Sequence, residues 1–408
     1  MTSDFNTLLQ ELYSLQRLGI KTGLEHTREL LKACANPHEN LRFIHLAGTN
    51  GKGSTASFIS SILQEAGLKV GLYTSPHLIR FNERIRVNGR PISDKNIVEF
   101  MKLFSPDIQR IESTFFESTS AMAFWYFARE QVDMAIIETG LGGRLDSTNV
   151  ISPEIAVITP ISMDHRKLLG DDLETIAKEK AGIIKENIPV ISTPQEKTVK
   201  NVLIEKAANM STNITFIKPP TDCSITMEET YFQYDNTTYQ LALIGEYQAL
   251  NASLAVSAVR ALGTFVSDNN IKSGLQKTIW PGRFQILSKN PPVIYDVAHN
   301  EQGISSILKT FNQLFNYKPV GVIALKENKE LGLIAKTMRG KFDKLFVMDD
   351  RQGLLIELGT LSIQLSKHGI QTEPMKRFED FTTYLQNDRP GIIFGSHYIA
   401  EYVFEHLQ

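Results

Sequence analysis

Cysteine is nearly missing from this chain: 408 residues hold only Cys34 and Cys223, at no paired spacing. That argues against a disulfide framework and a zinc site, and suits a reducing compartment. Excess charge is missing too. Forty-three Lys and Arg stand against forty-five Asp and Glu, a net charge of −2, so no basic field draws in nucleic acid. An acidic or phosphorylated small molecule would need a local cluster of positive groups instead. No apolar run is long enough to span a bilayer. The start, MTSDFNTLLQELYSLQ, places Asp4 early and alternates polar with apolar residues, without the continuous apolar segment of a signal peptide. A cytoplasmic protein acting on small molecules, with no membrane or nucleic-acid partner, is expected.

What is present is strand and helix in alternation, the pattern of a largely parallel sheet covered by helices. An amphipathic helix over about 4–18 precedes a strand at 42–47, a glycine loop, a helix over about 54–66 and a strand at 69–74. The Asn88-Gly89 pair predicts a hairpin within 84–92. Helices near 94–104 and 118–129, strands at 132–138, 154–161 and 189–193, and a helix over 173–185 follow. The stretch 215–243 is β-like without a clear order, and a helix is expected near 248–262. A second alternating series has strands at 293–298, 320–325, 344–349 and 391–396. The expected fold class is α/β, an N-terminal P-loop mononucleotide-binding domain with a smaller C-terminal Rossmann-like α/β domain. Two prolines in SKNPP suggest a linker, dividing the chain into 1–288 and 289–408.

The glycine loop reads HLAGTNGKGST (45–55), one residue away from the phosphate-binding pattern G-x-x-x-x-G-K-[ST], because Gly53 separates Lys52 from Ser54. A strand enters it and a helix leaves it. Backbone N–H groups of such a turn stabilise phosphate oxygens, and Lys52 adds a mobile positive charge. A purely structural turn would need neither Lys52 nor the hydroxyls of Ser54 and Thr55. Glu138, at the end of a short apolar strand, occupies a usual position for a magnesium-orienting carboxylate; the alternative is a solvent-facing charge. TSPHL (74–78) offers Ser75 and His77, which a surface turn would also explain. SMDHRKLLG (162–170) puts Asp164 and His165 just past a strand, where a structural pair is the competing account. EKAGIIK (179–185) places Lys180 on a helix, where an exposed lysine is the bland reading.

Taken in order, LQRLGIKTGLE (15–25), AGTNGKGST, TSPHL, ETGLGGRLDSTN, DHRKLLG, EKAGIIK, NAS, PGRF and DVAHN resemble the folylpolyglutamate synthase and dihydrofolate synthase family of Mur-type ATP-dependent amide ligases. The resemblance implies ligation of L-glutamate to a folate or pteroate carboxylate through an acyl phosphate. Such a site must hold two anions together. At about 4 Å their repulsion is roughly 4 kcal/mol at an effective dielectric of about 20, so positive charge is the main requirement.

On the matching positions, the resemblance assigns the triphosphate of ATP to Thr49, Asn50, Gly51, Lys52, Gly53 and Ser54. It assigns Mg²⁺, with two ions expected, to Ser75, Glu138 and His165. Lys180 matches a lysine that is carbamylated in the family. Asn251, Arg283 and Asp296 match nucleotide contacts, with His299 beside them. Lys52, His165 and Lys180 are thus the catalytic candidates. The acceptor positions are Thr114, Phe115, Phe116 and Glu117, with Leu145, Asp146 and Ser147. The phenylalanines could offer flat apolar surface, and Glu117 and Asp146 could accept hydrogen bonds from ring N–H groups; for one phenylalanine of the pair a core position is an equal alternative. A monomer is expected, and a monovalent-cation requirement stays open.

Departures are Val297 for the usual glycine, Glu301 for proline and Tyr247 for histidine. Fewer than fifty residues precede the loop, which argues against a cell-wall ligase with its nucleotide-sugar domain. A GTPase-type switch would show N-K-x-D, but NKEL (328–331) ends in Leu331.

Overall fold

Five buried side chains, Phe43–Ala47, make β1, and five more, Met134–Glu138, make β5 beside it. Strands buried along their whole length belong in a sheet covered on both faces, and a parallel sheet gives that cover through its crossover helices. The computed structural model describes residues 2–19, 23–263, 265–327, 329–350, 353–385 and 389–407. Part of LQRLGIKTGLE (20–22) and Asn328 of NKEL lie outside them.

The first compact unit comprises Met1–Ile161, Leu169–Pro219 and Asn251–Leu275. Its strands are β1, β2 (Val70–Tyr73), β3 (Ile85–Val87), β4 (Arg90–Pro91), β5, β6 (Ile155–Ile158), β7 (Val190–Ser192) and β8 (Ile214–Phe216). They form one sheet in the order β4-β3-β2-β5-β1-β6-β7-β8, parallel from β2 to β8. The β3–β4 hairpin turns on Asn88 and Gly89, at φ +47° and +75°, as a two-residue turn with both residues left-handed requires. β1 leads to β2 on one side of the sheet and borders β6 on the other. The carboxyl end of β1 is therefore a topological switch point, where open α/β sheets bind ligands. An aromatic core that includes Phe43, Phe100, Phe115, Phe124 and Phe127 packs in this unit.

The second unit comprises Ser162–Leu168, Pro220–Leu250 and Gln276–Gln408. The stretch that had no readable order is an antiparallel meander, β9 (Thr221–Ile225), β10 (Thr230–Tyr234) and β11 (Thr237–Leu241), in the order β11-β10-β9. A six-stranded sheet follows, of β12 (Gln285–Lys289), β13 (Pro292–Asp296), β14 (Val320–Ile323), β15 (Lys344–Val347), β16 (Glu373–Pro374) and β17 (Gly391–Phe394). Its order is β12-β13-β17-β14-β15-β16, with its own core including Ile294, Phe311, Ile323 and Phe394.

The expected division at residue 288 needs correction. Asn290 and Pro291 of SKNPP are the turn of the β12–β13 hairpin, and its other residues lie in the two strands, so a cut there would split one sheet. Prolines mark turns as readily as linkers, and an edge hairpin tolerates them. The second unit also takes in two earlier segments that no composition shift announces. Helix bounds move as well. The opening helix is Thr2–Ser14 with a 3₁₀ turn Leu15–Leu18 after it, and the helix after the loop is Lys52–Glu65, two residues earlier than expected. The helix carrying Lys180 is Leu173–Ala181.

Candidate active site

The loop after β1 is shaped by two glycines. Gly48 and Gly51 have φ of +152° and +86°. A Cβ at Gly48 would lie 1.9 Å from Thr159 Oγ1, and one at Gly51 would lie 2.3 Å from Asn251 Oδ1. Asn251 thus reaches the loop from its helix, Glu246–Ala261. The amides of Thr49 and Asn50 donate to Pro160 O at 2.8 and 3.3 Å. They hold the loop to the sheet rather than facing a phosphate, which corrects the expectation of a cradle built from their backbone. The helix begins at Lys52, and Thr55 N already donates to Gly51 O. The amides of Lys52, Gly53 and Ser54 therefore lack intrahelical acceptors and form the anion-binding end.

Gly48 O collects two ammonium groups, Lys180 Nζ at 2.8 Å and Lys52 Nζ at 3.2 Å. Lys180 is only 5% exposed, so the reading as an exposed helix lysine falls. Lys52 Nζ stands 3.9 Å from Glu138 Oε1, while Ser75 N donates to Glu138 Oε2 at 3.2 Å. The register Leu46↔Glu138 aligns this buried carboxylate with the end of β1. A carboxylate beside a serine suits a hard cation that keeps waters and substrate phosphates as its remaining ligands. Ser75 and Glu138 thus fit Mg²⁺, although no cluster of three His, Cys, Asp or Glu able to hold a metal occurs among the described residues. His77, in the same turn as Ser75, accepts from Arg84 Nε at 2.8 Å; burial and then Arg84 push its pKa down to about 3, so it is a neutral structural acceptor.

The acceptor candidates separate. Thr114 caps the helix Phe115–Arg129: its Oγ1 accepts from Glu117 N at 3.3 Å, and Glu117 Oε2 accepts from Thr114 N at 2.7 Å. Glu117, expected to accept from a substrate ring, is buried, and this capping box takes its Oε2. Phe115 is 2% exposed, 5.7 Å from Tyr13 and 6.1 Å from Phe81 by ring centroid, so of its two readings the core position is the one the structure shows. Phe116 is 38% exposed. Ser147 Oγ lies 2.7 Å from Ser120 Oγ and 3.2 Å from Phe116 O, and Leu145 is half-buried beside it in the chain.

Asp146 Oδ1 accepts from Thr148 N and Oγ1 at 3.0 and 2.5 Å, and Oδ2 accepts from Leu141 N at 2.9 Å. Burial raises its pKa against the pull of these donors. The exposed Gly140 joins these groups: a Cβ there would lie 3.5 Å from Asp146 Oδ2, 3.5 Å from Ser75 Oγ and 3.7 Å from Phe116 Cδ1.

The remaining candidates lie in the second unit. Asp296, buried at the end of β13, accepts from Phe284 N and Ala298 N at 2.7 Å each and from Tyr247 OH at 3.3 Å. Burial raises its pKa, while Arg283 and these donors oppose the rise. Arg283 Nη1 donates to Gly282 O at 3.0 Å. His165, at φ +52°, has Nε2 3.9 Å from Asp164 Oδ2, and His299 Nε2 lies 3.6 Å from the same oxygen. Lys329 Nζ meets Asp164 Oδ1 at 2.9 Å and Asn300 Nδ2 meets Oδ2 at 3.2 Å. Burial alone would raise the Asp164 pKa, but His299, Lys329 and His165 together hold it far below the usual range. Sequence reasoning missed Lys329, since no local pattern links it to a residue 165 positions earlier.

A lysine-bearing glycine loop at a strand switch point, with a carboxylate and a serine at neighbouring strand ends, is equipped to handle a nucleotide triphosphate. Residues 46–259 match the Mur ligase middle domain and 282–390 match the Mur ligase glutamate ligase domain, which defines the class as Mur-type ligase. The dihydrofolate synthase/folylpolyglutamate synthase of Bacillus subtilis is 39% identical over 343 residues, covering 78% of this chain and 79% of that one. The Mycobacterium tuberculosis folylpolyglutamate synthase complexed with ADP and AMPPCP superposes at a TM-score of 0.91 with 28% identity, covering 99% of both chains. A folylpolyglutamate synthase–AMPPCP–folate complex gives 0.85 and 30%, covering 99% of this chain and 100% of that one. The chain belongs to the folylpolyglutamate synthase and dihydrofolate synthase family.

Proposed function

We propose that the protein uses ATP to join L-glutamate to the carboxylate of dihydropteroate, tetrahydrofolate or both, releasing ADP and phosphate. The observation that carries this reading is the convergence of Lys52, Glu138 and Ser75 at the end of β1, in a chain that matches a folate- and AMPPCP-bound relative over nearly its whole length.

The acceptor carboxylate attacks the γ-phosphorus, and ADP leaves with its electron pair. The glutamate amine then attacks the acyl phosphate carbon and loses a proton, and the tetrahedral intermediate expels phosphate as the amide forms. The first step brings two anions together. Lys52, already beside Glu138, offsets their repulsion, and the free amides at the helix start orient the phosphate oxygens. Magnesium held by Ser75 and Glu138 would supply the remaining positive charge. Lys180, buried against Gly48 O, is the site for a carbamate, which would turn a cation into an anion near the phosphates.

The test is incorporation of labelled glutamate with ATP, comparing dihydropteroate and tetrahydrofolate. Incorporation with either acceptor supports the reading. ATP or GTP hydrolysis that needs neither acceptor nor glutamate would replace it with a nucleotide switch.

A further inference from the structure

Behind the acceptor residues lies a buried polar chain that the reaction above does not use. His45 sits in the middle of β1, flanked by Ile44 and Leu46, and is fully buried. Its Nε2 is 2.9 Å from Thr148 Oγ1, and that hydroxyl is 2.5 Å from Asp146 Oδ1. A threonine hydroxyl has one proton to give. Four donors converge on Asp146, the amides of Gly140, Leu141 and Thr148 and this hydroxyl; burial raises its pKa, but this donor set, with no acceptor facing it, suits the ionised, acceptor-only carboxylate. The Thr148 proton therefore goes to Asp146, and His45 must donate from Nε2.

That assignment leaves His45 Nδ1 as a buried acceptor, and it has no hydrogen-bond partner among the described residues. An unmade hydrogen bond at a buried atom is costly, so the imidazole is a poor choice for packing alone in an apolar strand. What it adds is the Nε2 contact. Burial, with a smaller effect from Lys185, pushes its pKa down to about 3 and keeps the ring neutral.

We propose that His45 is a positioning residue for the pterin-bearing acceptor, fixing the Asp146 carboxylate through the Thr148 hydroxyl. Oδ1 is bound to the interior by Thr148, while Oδ2, which accepts from Leu141 N, borders the space at the exposed Gly140 that Ser75 Oγ and Phe116 also border. Without the His45 donor, the Thr148 hydroxyl keeps only its bond to Asp146, loses the contact that fixes its rotamer from the interior side, and holds the carboxylate less firmly. The inference rests on the reading of Asp146 as an acceptor contact.

The test measures KM for dihydropteroate, tetrahydrofolate, ATP and glutamate in full-length His45→Leu, His45→Gln, Thr148→Val and Asp146→Asn, with thermal melts to confirm folding. His45→Leu and Thr148→Val should each raise the acceptor KM about tenfold, the scale of a hydrogen bond to a charged group. The KM values for ATP and glutamate should stay unchanged. The double variant should be no worse than either single one. His45→Gln, whose Nε2 can donate from the same place, should restore most of the acceptor affinity. If Asp146→Asn raises the acceptor KM while folded His45→Leu and Thr148→Val do not, the relay is wrong and the Asp146 reading survives. If Asp146→Asn leaves the acceptor KM unchanged, the Asp146 reading fails and takes the relay with it. Equal losses for all three substrates in His45→Leu and Thr148→Val would make His45 merely structural.

Discussion

Two ammonium groups share one carbonyl, Gly48 O, yet they differ in what surrounds them. The Lys52 side chain keeps 15% exposure, and its contacts are Gly48 O, Thr49 O and the Glu138 carboxylate. It can leave its carbonyls for a phosphate without emptying a core. Lys52→Ala should therefore lower kcat by about 10²- to 10³-fold, the scale of losing one electrostatic stabiliser, while the melting temperature stays close to wild type. Glutamate-dependent ADP release at near-normal rate in that variant would remove the loop lysine from the mechanism. Lys180 is buried, so its ammonium is expensive to keep unless something changes its charge. Intact mass under non-acid conditions should show the carbamate adduct, and Lys180→Ala should lose both adduct and turnover. An unmodified mass with unchanged Lys180→Ala activity would sink that assignment.

Residues of this kind were legible because a short motif carries them. Lys52, Ser75 and Glu138 each stand at a strand end that periodicity locates. His45 was not legible, because an apolar strand with one histidine reads as core. The Glu117 capping box is hidden for a different reason: a threonine followed three residues later by glutamate is a helix-start signal that competes with a substrate role at the same residues.

Elements show the same division between local and non-local information. The Asn88-Gly89 turn, the strand β1 and the helix after the loop follow from residues that are adjacent in sequence. SKNPP shows the limit. Its prolines signal a chain reversal, but only pairing of β12 with β13 tells a hairpin from a linker. The loop glycines allow an element-scale test. Gly51→Ala forces a left-handed residue and a Cβ 2.3 Å from Asn251 Oδ1, so it should cost about 1–2 kcal/mol from the backbone alone, read by urea denaturation. Gly140→Ala meets only contacts of 3.5 Å or more and should change stability by less than about 0.5 kcal/mol. Its methyl nevertheless enters the space shared by Ser75, Asp146 and Phe116, so the acceptor KM should rise several-fold. A stable Gly140→Ala enzyme with wild-type acceptor KM would show that the acceptor lies elsewhere.

The whole chain offers a convenient reporter of its two cores, because each unit carries one tryptophan. Trp125, in the first unit, packs edge-on against Phe100 at 5.6 Å, and Trp280, in the second, precedes Pro281 and the strand β12. Chains of this size with more than one core commonly unfold through intermediates, so the fluorescence of Trp125→Phe and Trp280→Phe variants follows different events. The phosphate loop belongs to the unit of Trp125. A ligand that binds only the folded state stabilises by about 2.7 kcal/mol at a hundredfold excess over its Kd. AMPPCP with magnesium should therefore raise the midpoint reported by Trp125 in the Trp280→Phe protein, and adding Lys52→Ala should shrink that rise. The magnitude also serves as a check on the charge argument, since the chain has almost no net charge and the loop must do the anion binding locally. If the Trp125 midpoint stays fixed at saturating AMPPCP, or moves equally in Lys52→Ala, the triphosphate is not held by the loop at the end of β1.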